Sequence, residues 1–368
     1  MSFARLPSSV ASVTGRFFPK TIRSMSSSTN YQAWRVAQRE DGSFKGSERT
    51  LNTDDLPHGE HGVLIQVTHS SLNYKDALSA SGNKGVTRKF PHTPGIDAVG
   101  NIQDASGPPV PVLVTGYDLG MNTSGGFGEY IRVPPEWIVS PLPPAFKEPR
   151  VAMIYGTAGL TAGLCVQKLL QMGADPSQHG GRVAVTGASG AVGSVAVELL
   201  SKLGFKVVAI SGKVSEKGRL LELGATEVVG REALEANKKP LVKPLFAHAV
   251  DTVGGGPLAE LLKQIRPGGS VACCGLVAGM GLDTTVLPFI LRGVNLLGVD
   301  SVEIPLLQKV AVWEKLAGEW SCPKTEASAV SIGRHQLDDY LKKFLKGESS
   351  GKVVLDHSLT ESNVKSNL

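Results

Sequence analysis

Hydrophobic positions recur in two different rhythms along this chain. From residue 31 to about 140 the apolar stretches are short and keep a period of two. Val63, Ile65 and Val67 alternate with Leu64, Gln66 and Thr68, the pattern of a half-buried strand. Proline and glycine break the chain at Pro91, Pro94-Gly95, Pro108-Pro109, Gly125-Gly126 and Pro134-Pro135. Short strands with such punctuation predict a small barrel or sandwich. A proline-rich crossing runs from Pro141 to Pro149, and helical spacing then begins near Ala152 and continues through Leu160, Leu164 and Leu169 to Gly173. Residues 175–303 alternate strand and helix. Strands are expected at 182–186, 206–211, 226–229, 247–251, 270–274 and 295–300, with Gly268-Gly269 ahead of the fifth. That alternation predicts an α/β fold with a doubly wound parallel sheet. Amphipathic helices near 306–317 and 336–346 and a last strand over Gly351–Leu355 should return to the first, β-rich domain.

The chain is organised around Val183-Ala-Val-Thr-Gly-Ala-Ser-Gly-Ala-Val-Gly-Ser-Val-Ala196. A β-branched run is followed by a turn containing Gly187, Gly190 and Gly193. Val192, Val195, Ala196, Leu199, Leu200 and Leu203 then recur at helical spacing up to Gly204. Strand, glycine-rich turn and helix form the phosphate-cradling unit of a dinucleotide fold. Backbone without side chains can approach a pyrophosphate closely, and the helix N-terminus offers N–H groups and a positive dipole end. The strict G-x-G-x-x-G is not met, because Ala188 stands at its first position.

The next strand, Phe205 to Ser211, ends in Ser211-Gly212-Lys213. An NAD site usually places Asp or Glu there to hold the ribose 2′-hydroxyl. A hydroxyl, a glycine and a cation suit a 2′-phosphate instead, so NADPH is expected over NADH. The competing reading of Lys213 is an ordinary solvated lysine.

Charge changes the picture at one end. The formal net charge is +5, and Arg5, Arg16, Lys20 and Arg23 supply most of it within residues 1–30, which hold no acid. This Ser- and Arg-rich segment reads as a disordered targeting segment, mitochondrial ahead of plastid, or as a plain tail preceding a cytoplasmic protein. The rest of the chain is near neutral and gives no electrostatic footprint for nucleic acid. No apolar run reaches the ~18 residues of a membrane span. Cys165, Cys273, Cys274 and Cys322 form no C-x-x-C pair or zinc-spaced cluster. Cys273 and Cys274 read as core residues in a reducing compartment.

Several stretches carry a family resemblance: Ser71-Leu-Asn-Tyr-Lys-Asp-Ala77, Pro94-Gly-Ile-Asp97, Val185-Thr-Gly-Ala-Ser-Gly190, Ala249-Val-Asp-Thr-Val-Gly254, Leu287-Pro-Phe-Ile-Leu-Arg-Gly-Val294 and Gly298-Val-Asp-Ser-Val302. Over about residues 31–356 the chain resembles the NADPH-dependent acrylyl-CoA reductase and putative quinone oxidoreductase family, within the medium-chain dehydrogenase/reductase superfamily. The resemblance implies a GroES-like domain (31–150 and 305–368) and a Rossmann NADPH-binding domain (151–304). It also implies a zinc-free enzyme: zinc-dependent relatives carry Gly-His-Glu where this chain has Gly95-Ile96-Asp97, and a Cys quartet absent here. The expected chemistry is hydride transfer to the β-carbon of an enoyl group, with donors stabilising the enolate oxygen.

The same resemblance implies the site residues. Tyr74 lies by the cofactor, where its phenol positions nicotinamide, donates a hydrogen bond, or simply packs. Asp76 either takes part in the chemistry or caps the helix beginning there, and Lys75 reads as solvated. Ser189, Gly190, Ala191 and Val192 line the pyrophosphate; Ser211, Gly212 and Lys213 hold the 2′-phosphate; Arg231 lies near the adenosine end. Leu276, Ile290 and Ser301 meet the nicotinamide half, and Lys352 falls near a late cofactor contact. Lys84, Arg88, Lys89 and Arg292 are candidate cations for CoA phosphates. Gly107-Pro-Pro-Val-Pro-Val112 replaces the family's usual Gly-Asp before a strand, and Lys213 stands where bacterial relatives often have Arg, a fork rather than a point charge. The function classes are an enoyl reductase, favouring acrylyl-CoA over a quinone or alkenal, and a non-catalytic NADPH-binding protein. A homodimer through the edge strand near 295–300 is expected by analogy with the superfamily.

Overall fold

The computed structural model describes residues 28–57, 62–102 and 108–361. Residues 1–27, which carry most of the targeting expectation, lie outside the described residues. Ser28 and Thr29, inside the segment expected to be disordered, are hydrogen-bonded: the Ser28 hydroxyl donates to Asn52 Oδ1 at 3.0 Å, and the Thr29 N–H donates to Thr53 Oγ1 at 3.0 Å.

The first half is built from β1 (Asn30–Gln38), β2 (Phe44–Asn52), β3 (Val63–Ser71), α1 (Tyr74–Ala80), β4 (Asp97–Ile102), β5 (Val110–Thr115), β6 (Tyr130–Val133) and β7 (Ile138–Val139). A long helix, α2 (Pro149–Gln171), follows. Then come β8 (Arg182–Thr186), α3 (Ala191–Lys202), β9 (Lys206–Ile210), α4 (Lys217–Glu222), β10 (Glu227–Val229), β11 (Phe246–Asp251), α5 (Gly255–Leu262), β12 (Ile265–Cys273), α6 (Leu287–Arg292) and β13 (Asn295–Gly298). The chain closes with α7 (Leu306–Ala317), α8 (Pro323–Ala327), β14 (Val330–Ile332), α9 (Leu337–Leu345) and β15 (Val353–Asp356).

Among the described residues these strands form three sheets. β1 and β2 make an antiparallel ribbon. β10-β9-β8-β11-β12-β13 is an all-parallel six-stranded sheet, and β14-β15-β3-β4-β5-β7 is a mixed sheet with β6 added on β3. The last strand returns to the first unit because β15 pairs antiparallel with β3, Val354 opposite Ser71. The α/β architecture read from the alternating rhythms is therefore the observed one. In β3 the alternating Val63, Ile65 and Val67 turn inward. β8 is apolar because both its faces are covered, Val183 and Val185 packing with α2 and α3 and Ala184 with α5, as in parallel sheets generally.

Two elements differ from their expected form. The helix expected from Ala152 begins at Pro149, and it is broken at Gly156, whose φ of 52° and ψ of −159° are not helical. The fifth strand starts at Ile265, so Gly268-Gly269 lies inside it. Phe246 pairs with Ile265 and His248 with Ser270, leaving an irregular stretch on β12. A Cβ at Gly269 would sit 2.1 Å from Ala247 O, so only glycine allows that approach. β14 and α8 had no expectation attached.

The largest core joins α2, α3, β8, β9 and α7, with Trp313 and Tyr155 fully buried in it. α2 thus packs on both large sheets. Among the described residues no helix is long and apolar enough to cross a membrane.

Candidate active site

The strand order of the parallel sheet reverses between β8 and β11. A crevice for a ligand is expected beyond the C-terminal ends of strands at such a switch point. The glycine turn leaves β8 there. Gly187 has φ 58°, and the Gly190 N–H donates to Gly187 O at 2.9 Å. A Cβ at Gly193 would lie 2.3 Å from Gly187 O, so the turn and the start of α3 pack at backbone distance. Gly190 is the N-cap of α3, and Ala191 and Val192 form its first turn.

Ser189 and Ser211, from the ends of neighbouring strands, meet beneath this turn. The Ser211 hydroxyl donates to Ser189 Oγ at 3.0 Å, and the Lys213 N–H donates to Ser211 Oγ at 3.1 Å. Arg219, on α4, donates from Nη2 to Ser189 O at 2.9 Å and pairs with Glu216 at 2.6 Å. The Lys213 ammonium donates to Ser349 O, and burial pushes its pKa down. Arg231 lies over Gly212, where a Cβ would stand 2.3 Å from its Nε. The structure therefore brings Ser189, Gly190, Ser211, Gly212, Lys213 and Arg231 together and adds Arg219, which sequence reasoning missed. Arg219 is 30 residues from the carbonyl it holds, and no local motif marks it. A glycine turn, a helix N-terminus, two hydroxyls and three cations fit a dinucleotide carrying an extra phosphate.

A second cluster lies at the start of α1. Tyr74 is its first residue and is 38% exposed. Asp76 is fully buried. Its carboxylate accepts the Asn73 N–H at 2.8 Å, the Asn73 amide at 3.3 Å and the Ile96 N–H at 2.9 Å. Asn73, not Asp76, is the N-cap; Asp76 holds the cap residue from the third helical position. Burial, with the Asp97 charge beside it, pushes the Asp76 pKa up to about 7.

Asp97 is also fully buried. It accepts the Asn73 amide at 2.8 Å, the Thr157 N–H at 2.8 Å and the Thr157 hydroxyl at 2.6 Å. Burial raises its pKa against these donors and the Lys352 charge. Lys352, immediately before β15, is buried and donates to Tyr155 O at 3.0 Å and Ser71 Oγ at 3.5 Å. Burial lowers its pKa to about 8, opposed by both carboxylates. Asp97 and Thr157 were not legible as site residues because 60 residues separate them in sequence.

The remaining candidates meet different surroundings. Ser301 is buried with its Oγ 2.8 Å from Thr161 Oγ1 on α2. Leu276 and Ile290 are instead 57% and 68% exposed. Arg292 is not a free cation. Its guanidinium donates to Lys263 O at 2.8 Å, Ile265 O at 3.3 Å and Val242 O at 2.5 Å, so its donors anchor α6 and the expected CoA-phosphate role is withdrawn. Lys84, Arg88 and Lys89 lie exposed in the loop after α1.

Residues 191–315 match the zinc-binding dehydrogenase family and residues 59–144 the alcohol dehydrogenase GroES-like domain. Among the described residues no three His, Cys, Asp or Glu side chains group as metal ligands, so the zinc of the family description finds no ligand set in them. The chain is 41% identical over 322 residues to the acrylyl-CoA reductase AcuI of Ruegeria pomeroyi, covering 86% of this chain and 96% of that protein. It is 41% identical over 337 residues to the putative quinone oxidoreductase YhfP of Bacillus subtilis, covering 89% and 99%. A crystal structure of YhfP has NAD bound and matches with a TM-score of 0.83 at 39% identity, over 89% of this chain and 99% of that one. The yhdH oxidoreductase of Salmonella enterica, solved in complex with NADP, matches with a TM-score of 0.83 at 41% identity, over 88% and 99%.

Proposed function

Because this chain belongs to the medium-chain dehydrogenase/reductase superfamily, in the group of acrylyl-CoA reductase AcuI and quinone oxidoreductase YhfP, we propose that it reduces activated C=C bonds with NADPH, converting acrylyl-CoA to propanoyl-CoA. The observation that carries the substrate is identity to an acrylyl-CoA reductase over nearly that protein's whole length. The cofactor choice draws support from the cations at Lys213 and Arg231, with no acid in Ser211-Gly212-Lys213 and the nearby Glu216 paired with Arg219.

In this reading Ser189, Gly190, Ala191 and Val192 hold the pyrophosphate through backbone N–H groups and hydroxyl. Ser211, Gly212, Lys213 and Arg231 hold the 2′-phosphate end. NADPH, when bound, supplies the hydride delivered to the β-carbon. The partly exposed Tyr74 phenol orients the enoyl group or donates to the oxygen that gains charge, where a preorganised donor is most effective. Asp76 is too enclosed to touch substrate and holds the start of α1. The proton added at the α-carbon comes from the Tyr74 hydroxyl or water. We read residues 31–150 with 305–368 as the substrate unit and 151–304 as the dinucleotide unit, supported by β14 and β15 lying in the sheet of β3.

NADPH oxidation with acrylyl-CoA, crotonyl-CoA, a quinone and an alkenal side by side tests the reading. It expects the highest kcat/KM for acrylyl-CoA. Turnover of the quinone alone would favour the YhfP-like activity, and tight NADPH binding without turnover would favour a binding protein.

A homodimer is the companion proposal. β13 is an edge strand, and Val277, Met280, Val286, Ile290 and Leu291 around α6 are each more than half exposed. A second copy pairing along β13 would cover them, whereas a monomer in light scattering would end the idea. Mitochondrial import remains a proposal from the composition of residues 1–30, and cytoplasmic fluorescence of a tagged full chain would contradict it.

A further inference from the structure

Helix α2 breaks at Gly156, so Thr157 starts a new helical run whose N–H lacks a partner in the preceding turn. Asp97, on β4, takes that N–H and the Thr157 hydroxyl. It acts as a helix cap supplied from 60 residues away. The break is what lets the carboxylate in: a Cβ at residue 156 would lie 2.7 Å from Asp97 Oδ2 and 2.5 Å from Ser71 Oγ. The same Oδ2 accepts the Asn73 amide at 2.8 Å, and Asn73 is the N-cap immediately before Tyr74. One oxygen therefore fixes the starts of two helices. One turn along α2, the Thr161 hydroxyl lies 2.7 Å from Thr157 O and 2.8 Å from Ser301 Oγ. A continuous polar path thus joins Asn73, Asp97, Thr157, Thr161 and Ser301.

Burying a carboxylate is costly unless its oxygens are fully used. Here both are used, and the groups they hold belong to the starts of two different helical runs, α1 and the second part of α2. We propose that Asp97 is a positioning residue for the reduction: it sets Tyr74, through Asn73, and Ser301, through Thr157 and Thr161, in one fixed register. This rests on the assignment of Tyr74 and Ser301 to the substrate and nicotinamide sides given above.

The variants separate geometry from charge. In Asp97→Asn the amide oxygen can take the two donors now on Oδ2, and its NH2 can donate to the Thr157 hydroxyl. The register survives while the charge goes. Asp97→Ala loses both. The expected result is a fall in kcat for acrylyl-CoA of roughly tenfold or more in Asp97→Ala, since small misplacements of reacting groups are expensive. NADPH affinity by fluorescence titration should change by less than about threefold, because the cradle at Gly187–Gly193 is untouched, and Asp97→Asn should recover kcat to within about threefold of wild type. An unchanged kcat in Asp97→Ala, or an Asp97→Asn as slow as Asp97→Ala, overturns the proposal.

Hydrogen exchange on the full chain tests the coupling without turnover and without the Ala variant. In Thr157→Val, amides in both 73–77 and 157–161 should exchange faster than in wild type. Faster exchange confined to 157–161 overturns the coupling. A wild-type protein that binds NADPH but reduces none of the substrates contradicts the functional reading, while the exchange result still decides whether Asp97 couples the two helix starts.

Discussion

At the scale of single residues, the two clusters divide by how local they are. In the proposed site Lys213 holds the 2′-phosphate, and a hydrogen bond to a charged group contributes about 1.5–3 kcal/mol. Lys213→Met should therefore weaken NADPH binding by roughly ten- to a hundredfold and leave NADH binding nearly unchanged, as read by fluorescence titration of each. Gly156→Ala should be damaging for a different reason. Its φ and ψ belong almost exclusively to glycine, a strain of about 1–3 kcal/mol for any other residue, and the added methyl meets Asp97 and Ser71. A lowered Tm, with acrylyl-CoA turnover falling further than stability explains, is the expected outcome. The juxtaposition of Ser189, Gly190, Ser211, Gly212 and Lys213 was legible in the sequence because each belongs to a strand-and-turn stretch whose neighbours in sequence are also its neighbours in space. Asp97, Thr157 and Arg219 were not, because each gains its meaning from a partner far along the chain. Arg292 shows the reverse failure: its sequence context reads as a cation for phosphate, but three backbone carbonyls take its donors.

At the scale of elements, periodicity located most strands and helices of the second half, and it failed where backbone irregularity was needed. The break in α2 and the irregular β12 both hang on glycines whose role is close approach of backbones, which hydrophobic pattern does not report. α8 is another such case. Its five residues are too few to stand alone, and buried Glu198 on α3 holds its start, accepting the Lys324 N–H at 2.9 Å and the Thr325 N–H and hydroxyl at 2.7 Å each. Glu198→Ala should cost about 2 kcal/mol by loss of this cap and its orphaned donors, measured by denaturant unfolding. NADPH affinity should not change, since the turn after β8 lies at the opposite end of the helix.

At the scale of the whole molecule, the two large sheets are tied through α2 and through Lys309 on α7, whose ammonium donates to Thr115 O and Val302 O at 2.8 Å each. pH acts on this assembly through buried groups of opposite sign. His357 places Nε2 2.9 Å from Gly126 O and Nδ1 2.9 Å from an Arg334 guanidinium nitrogen, an arrangement for neutral imidazole. Burial lowers its pKa to about 4. Its contribution to stability is present above the ordinary value of 6.5 and is lost as pH falls through 4. The stability difference between wild type and His357→Gln should accordingly shrink by about 3 kcal/mol from pH 7 to pH 4. Asp76, raised to about 7, contributes in the opposite sense: its share is present below 3.8 and lost as pH rises through 7, so Asp76→Asn should gain on wild type over that rise. The reaction itself is followed by the fate of the hydride. With NADPH deuterated at the transferable C4 position, acrylyl-CoA and the full chain, mass spectrometry should find propanoyl-CoA carrying one deuterium, located at the β-carbon. NADPH consumption with no deuterium in the thioester, or turnover that requires a quinone, would rule out hydride transfer to the enoyl thioester.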